Sequence, residues 1–137
     1  MNSITHLLDT SVYSQRLRPK PIEAVVDRWR RLGDHRLAIS SICEAELLYG
    51  LEKRDSQRLW QEYIAALKDR LVLLPIDRSV AAIFAKIKSQ MESSGEPRAD
   101  LDLLIAATCL KYGLILATGN ARHFDGISGL RVEDWFN

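Results

Sequence analysis

The chain reads as an α/β fold, an open and mainly parallel sheet of four or five strands with helices on both faces. Two features predict this. Short apolar runs alternate with longer segments whose apolar residues recur at three-and-four spacing, and the alternation continues from one end of the chain to the other. The length of 137 residues also suits a single domain spanning 1–137, with one hydrophobic core and no repeat or low-complexity tract.

The first strand is expected over Ile4 to Leu8, a mostly apolar run closed by Asp9 and followed by the small polar pair Thr10 and Ser11. Ile22, Val25, Val26, Trp29 and Leu32 then trace one face of an amphipathic helix, with Pro21 suited to its first turn. Leu37 to Ser40 predicts a second, buried strand. Ser40 or Ser41 can cap the following helix, Ile42 to Leu51, and Glu44 three residues after Ser41 completes a capping-box pattern. Gly50 suits that helix's end.

Leu59 to Leu67 predicts a further amphipathic helix, Leu71 to Leu74 a third strand, and Val80 to Met91 a helix closed by Gly95 and Pro97. Leu101 to Leu110 is strongly apolar and helical. Leu114 to Ala117 forms a fourth strand, and the glycines at 126 and 129 break the chain before a short final strand around Arg131 to Glu133.

Composition narrows the function classes. A hydrophobic share of 47% and a charged share of 27% exclude a disordered chain. A net charge of +1 excludes a protein that grips nucleic acid by bulk charge, so any such contact rests on local runs such as Arg16, Arg18 and Lys20, or Arg28, Arg30 and Arg31. Cys43 and Cys109 sit in apolar helical patterns and read as core; with His6, His35 and His123 scattered, no thiolate or imidazole metal site is expected. Without an apolar run of membrane length, the expected setting is a reducing cytoplasm, with no membrane association and no disulfide.

The acids fall where parallel α/β sheets carry their sites, outside the carboxyl ends of the strands. Asp9 ends the first strand, Glu44 and Glu46 open the helix after the second, Asp100 and Asp102 open a late helix, and Asn120 follows the fourth strand. Carboxylates gathered without lysine or arginine repel one another unless a hard divalent cation joins them. Magnesium, with manganese as a substitute, takes one or two carboxylates directly and keeps several waters. Such an ion can activate water for attack on a phosphodiester. Residues two apart on a helix face nearly opposite ways, so one member of each acid pair is expected to point into a cleft. Periodicity does not choose. The capping box leaves Glu46 freer than Glu44, and Asp100 suits the N-cap, leaving Asp102 in the first turn.

The strings Leu8-Asp9-Thr10-Ser11, Ala45-Glu46-Leu47-Leu48-Tyr49-Gly50, Asp102-Leu103-Leu104-Ile105-Ala106-Ala107, Thr118-Gly119-Asn120 and Leu130-Arg131-Val132-Glu133-Asp134-Trp135, in this order, resemble the motifs of VapC-type PIN-domain toxins. The resemblance spans nearly the whole chain. It implies a PIN-like fold and a magnesium-dependent endoribonuclease, the toxin of a type II toxin–antitoxin pair. Its catalytic residues would be Asp9, Glu46, Asp102 and Asn120, the three acids holding the metal. It implies a cognate antitoxin, an RNA substrate with transfer RNA as a candidate, and a homodimer or a toxin–antitoxin hetero-oligomer.

Ser11 departs from the asparagine common after the family's Asp-Thr, placing a hydroxyl where an amide would help hold the first carboxylate. Asn120 stands where many PIN domains have a fourth acid and VapC-like members often have asparagine. Among rival readings, a haloacid-dehalogenase-like phosphatase needs a second aspartate where Ser11 stands, and a receiver domain needs paired acids at the first strand and a late lysine. A PIN-like module that binds RNA or protein without cutting is the remaining alternative.

Overall fold

In the computed structural model, which describes residues 3–137, five strands form one parallel sheet. In chain order the elements are β1 (His6–Leu8), α1 (Thr10–Tyr13), α2 (Glu23–Leu32), β2 (Leu37–Ser40), α3 (Ser41–Arg54), α4 (Gln57–Ala66), β3 (Val72–Leu74), α5 (Arg78–Ser93), α6 (Asp100–Tyr112), β4 (Ile115–Thr118) and β5 (Arg131–Asp134). A 3-10 turn over Ser14–Leu17 extends α1.

The sheet order is β3-β2-β1-β4-β5. The chain therefore starts at the centre, builds outward through β2 and β3, then returns to lay β4 against the other side of β1. This reversal opens a crevice at the carboxyl ends of β1 and β4. The register pairs Leu8 with Ala117, and the Asp9 amide donates to the Ala117 carbonyl at 3.0 Å, so Asp9 emerges at that crevice.

Adjacent strand residues divide between two cores, as the alternating direction of strand side chains requires. Leu8, Leu37, Ile39 and Ala117 pack with Val12, Trp29, Leu47 and Leu51 under α1 to α4. Leu7, Ala38 and Leu116 pack on the other face with Val80, Ile87, Leu103 and Ala106 of α5 and α6. Helices thus cover both faces, as the sequence predicts. Ala106 and Ala107 are fully buried, where small side chains let α6 approach the sheet closely. Cys43 and Cys109 are free and fully buried. Among the described residues no helix is long and apolar enough to cross a membrane.

Several local expectations change. Ser40 caps α3, its hydroxyl accepting from the Cys43 amide at 3.2 Å, while the Ser41 hydroxyl accepts from the Ile76 amide on the far side of β3. The capping box with Glu44 therefore does not form. Gly50 lies inside α3, which runs on to Arg54 and ends at Asp55 in a left-handed conformation. Pro21 precedes α2 by two residues, and the Ile22 amide at its start is met by the Gln15 side chain at 2.9 Å. Asp100 is no N-cap: Ala99 holds that position without a side-chain bond, and Asp100 pairs with Lys88 on α5 at 2.7 Å.

Candidate active site

The crevice is built around Asp9. Its carboxylate is buried beyond β1 and caps α1 by accepting from the Val12 amide at 3.2 Å. Ser11 donates to Oδ1 at 2.5 Å, and Thr118, fully buried at the end of β4, donates to Oδ2. Each hydroxyl is itself fed by a backbone amide: Gly119 donates to Ser11 Oγ and Asn120 to Thr118 Oγ1, both at 2.9 Å. An oxygen already accepting from an N–H has its own hydrogen free to point elsewhere. Here that direction is the carboxylate. Ser11 thus does the holding that its departure from asparagine left open.

Burial raises the Asp9 pKa, against the lowering effect of these hydrogen bonds. Gly119 serves the same loop differently. A Cβ there would meet the Phe136 ring at 2.4 Å, so glycine allows the C-terminal aromatic to lie on the β4 end. The remaining aromatics are structural in the main: Trp29 and Trp135 are almost wholly buried.

Glu46, half-buried on α3, accepts from the Thr10 hydroxyl in the first turn of α1. Asp102 lies in the first turn of α6 with a side chain 25% exposed. Its pKa is raised chiefly by burial and further by the charge of Glu46, while His123 opposes both through an ion pair at 3.3 Å. Glu46 and Asp102 are therefore electrostatic neighbours. The Cys43 thiol feels Asp9, Glu46 and Glu44 together, while Thr10, next to Asp9 in the chain, ties Glu46 to the end of β1. The charge of Glu44 reaches the Tyr13 and Tyr63 phenols but is not among those that act on Asp102.

Asn120 joins this network through its backbone: its amide meets Thr118, its carbonyl accepts from the His123 amide at 3.0 Å, and its side chain is exposed. It does not adopt a left-handed turn, since its φ is −127°. Thr10, next to Asp9, meets Glu46, and Glu46 acts on Asp102, but among the described residues no three histidine, cysteine or carboxylate side chains converge as a ready-made metal cluster. Sequence reasoning missed Thr10, Thr118 and His123 as partners of the three acids. Thr10 and Thr118 lie inside motifs that were legible; His123 had no local signal.

The chemistry of the donors suits a hard divalent cation. All three acids present oxygen, among the described residues none is paired with lysine or arginine, burial pushes Asp9 toward protonation, and burial with the charge of Glu46 does the same to Asp102. A magnesium ion that retains water does not need three carboxylates already converged.

The model of the PIN domain matches residues 6–130. The chain belongs to the PIN-domain family. Within that family it is 32% identical over 129 residues to the tRNA(fMet)-specific endonuclease VapC of Shigella flexneri, covering 94% of this chain and 96% of the relative. It is 36% identical over 126 residues to toxin FitB of Neisseria gonorrhoeae, covering 86% and 89%. The PIN domain described here also superposes on the DNA-bound VapBC structure from Salmonella typhimurium with a TM-score of 0.80 and 31% identity, covering 96% and 98% of the two chains.

Proposed function

We propose that this PIN domain is a metal-dependent endoribonuclease and the toxin of a type II toxin–antitoxin system. The observation that carries this reading is the end of β1 and β4, where two hydroxyls fix Asp9, its neighbour Thr10 meets Glu46 and Glu46 acts on Asp102, with none of the three acids paired to a lysine or arginine among the described residues. Support also comes from relatives named as ribonuclease or endonuclease VapC and from neighbours solved as toxin–antitoxin complexes.

Asp9, Glu46 and Asp102 would hold magnesium, or manganese in its place. The bound ion would make a water more acidic and stabilise charge developing on a phosphodiester. The chain's own residues keep the site ready. Ser11 and Thr118 fix the rotamer of Asp9, Thr10 fixes Glu46, and the N-terminus of α6 favours the charge of Asp102. RNA is the substrate class, and transfer RNA is the first candidate by analogy with the Shigella relative. A cognate antitoxin restrains the enzyme, an arginine or lysine of the partner meeting the uncompensated carboxylates.

The exposed, uncharged side chain of Asn120 favours a second reading, a PIN-like module that binds without cutting. One experiment separates the two. Purified protein is incubated with transfer RNA in magnesium, in manganese and in EDTA, beside the Asp9→Ala variant. Cleavage that needs the metal and Asp9 supports the enzyme. Intact RNA in every condition supports the binding module.

A further inference from the structure

Helix α3 leads away from the acids along one exposed stripe. Glu46, Tyr49 and Gly50, then Lys53 and Arg54, follow at spacings of three to four residues and so lie on one side of the helix. Tyr49 is 65% exposed, although large aromatics usually find cover, and the Lys53 ammonium sits 6.0 Å from its ring centre. Beside the stripe runs a groove of about 250 Å³ that begins at Thr10 and Glu46, has Leu17, Leu47, Leu51 and Leu59 along it, and carries Arg18 and Arg54. Gly50 opens it. A Cβ at Gly50 would meet nothing within 4 Å, so no packing demand explains one of the poorest helix formers inside a helix.

We propose that this stripe and groove are the track on which single-stranded RNA lies, with Tyr49 stacking a base and Arg18 and Arg54 holding phosphates on the way to the acids. The proposal rests on the ribonuclease reading and adds where the substrate is gripped. Charge selects the occupant. Among the described residues the only acid lining the groove is Glu46, one of the three candidate ligands, whereas Arg18 and Arg54 line the groove and Lys53 stands on the stripe beside it. A chain that alternates anionic phosphates with flat apolar bases meets cations, an aromatic face and an apolar floor. The track also gives a protein of net charge +1 a local means of holding RNA, since Arg18, Lys53 and Arg54 stand together beside the groove.

The test measures binding of a labelled single-stranded oligoribonucleotide to the full chain in EDTA at several salt concentrations, with the RNA checked for integrity. Tyr49→Ala is expected to weaken binding roughly 5- to 150-fold with the salt slope unchanged, and Tyr49→Phe to keep the affinity. Arg54→Ala and Arg18→Ala should each flatten the slope of log affinity against log salt by about 0.7. Gly50→Leu should weaken binding by filling the groove. In magnesium, KM should rise in these variants with kcat kept, while magnesium affinity and Tm match the wild type. Wild-type affinity and slope in both Tyr49→Ala and Arg54→Ala overturn the track. So does selective loss of antitoxin binding or of dimer formation with RNA affinity intact, which would give the surface to a protein. A wild type that neither binds nor cuts RNA overturns the ribonuclease reading together with the track, whereas a wild type that cuts and variants with its KM overturn the track alone.

Discussion

Thr118 Oγ1 donates to Asp9 Oδ2 while accepting the amide of Asn120, joining the ends of the two central strands across a separation of 109 residues. The hydroxyl has no exposure to solvent, so nothing but the protein can replace it. Removing it leaves two polar groups short of a partner at once. Thr118→Val keeps the shape and loses both bonds, and an unsatisfied buried polar group costs about 1–3 kcal/mol. The variant should show a lowered Tm, and a magnesium affinity reduced roughly 10- to 100-fold, the usual cost of losing a group that orients a ligand. Thr118→Ser should retain both. Calorimetry on the two variants decides, and equal metal affinity in Val and Ser would remove Thr118 from any role in the site.

The acid pairs separate cleanly in the structure and should do so in activity. Asp100 lies on the surface in an ion pair with Lys88, and exposed pairs of this kind contribute about 0–1 kcal/mol. Glu44 acts on the Tyr13 and Tyr63 phenols and is not among the charges that act on Asp102. Asp100→Asn and Glu44→Gln should therefore leave RNA cleavage near the wild-type rate. Glu46→Gln keeps an oxygen for the Thr10 hydroxyl, hence the fold, and loses the charge that Asp102 feels. Its cleavage should collapse with Tm unchanged. A loss of activity in Glu44→Gln equal to that in Glu46→Gln would reverse the assignment.

The parallel sheet was legible because its three inner strands are buried on both faces and so read as near-continuous apolar runs: Leu7 with Leu8, Ala38 with Ile39, Leu116 with Ala117. The candidate acids were legible because strand ends and helix starts can be found from those runs. What failed were inferences from local pattern that a distant partner overrides. Ser41 followed by Glu44 has the form of a capping box, but the Ser41 hydroxyl accepts from Ile76, thirty-five residues on. Asp100 has the form of an N-cap, but Lys88 on the neighbouring helix draws its carboxylate away. Gly50 has the form of a helix end because glycine is poor in a helix interior, but α3 runs on past it to Arg54. The hydroxyl relays of Ser11 and Thr118 and the approach of His123 to Asp102 depend on bringing together segments far apart in the chain, which no local spacing encodes.

Asn120 tests the fourth position. Its side chain is exposed at the end of β4 and brings no charge, while its backbone already closes the Thr118 relay. Asn120→Asp adds a carboxylate without disturbing that amide. Magnesium affinity should rise, and the rate can move either way, since tighter ground-state binding need not favour the transition state. Titration calorimetry showing unchanged or weaker affinity would place the side chain outside the metal's reach.

Asp102 links the site to stability through pH. Burial, and then the charge of Glu46, raise its folded pKa above the ordinary aspartate value. For an acid shifted upward the folded state holds its proton more tightly than the unfolded state does. Below the unfolded value both states are protonated and the group is neutral to folding. As pH rises through the folded value the buried carboxylate must ionise at a cost the unfolded chain does not bear, and above it the whole cost remains. Ionised Asp102 therefore lowers stability at neutral pH in the absence of metal. Asp102→Asn removes that cost and gives up only an ion pair to His123, whose side chain is 59% exposed and whose loss matters little. Metal-free Asp102→Asn should accordingly melt at or above the wild-type Tm near neutral pH, with the difference closing as pH falls toward about 4. Added magnesium should raise the wild-type Tm by binding the folded state, and should raise the variant's much less. RNA cleavage by the variant should be abolished. A metal-free Asp102→Asn protein clearly less stable than wild type at neutral pH would mean that Asp102 is a structural residue held by its partners, and cleavage at the wild-type rate would remove it from the site.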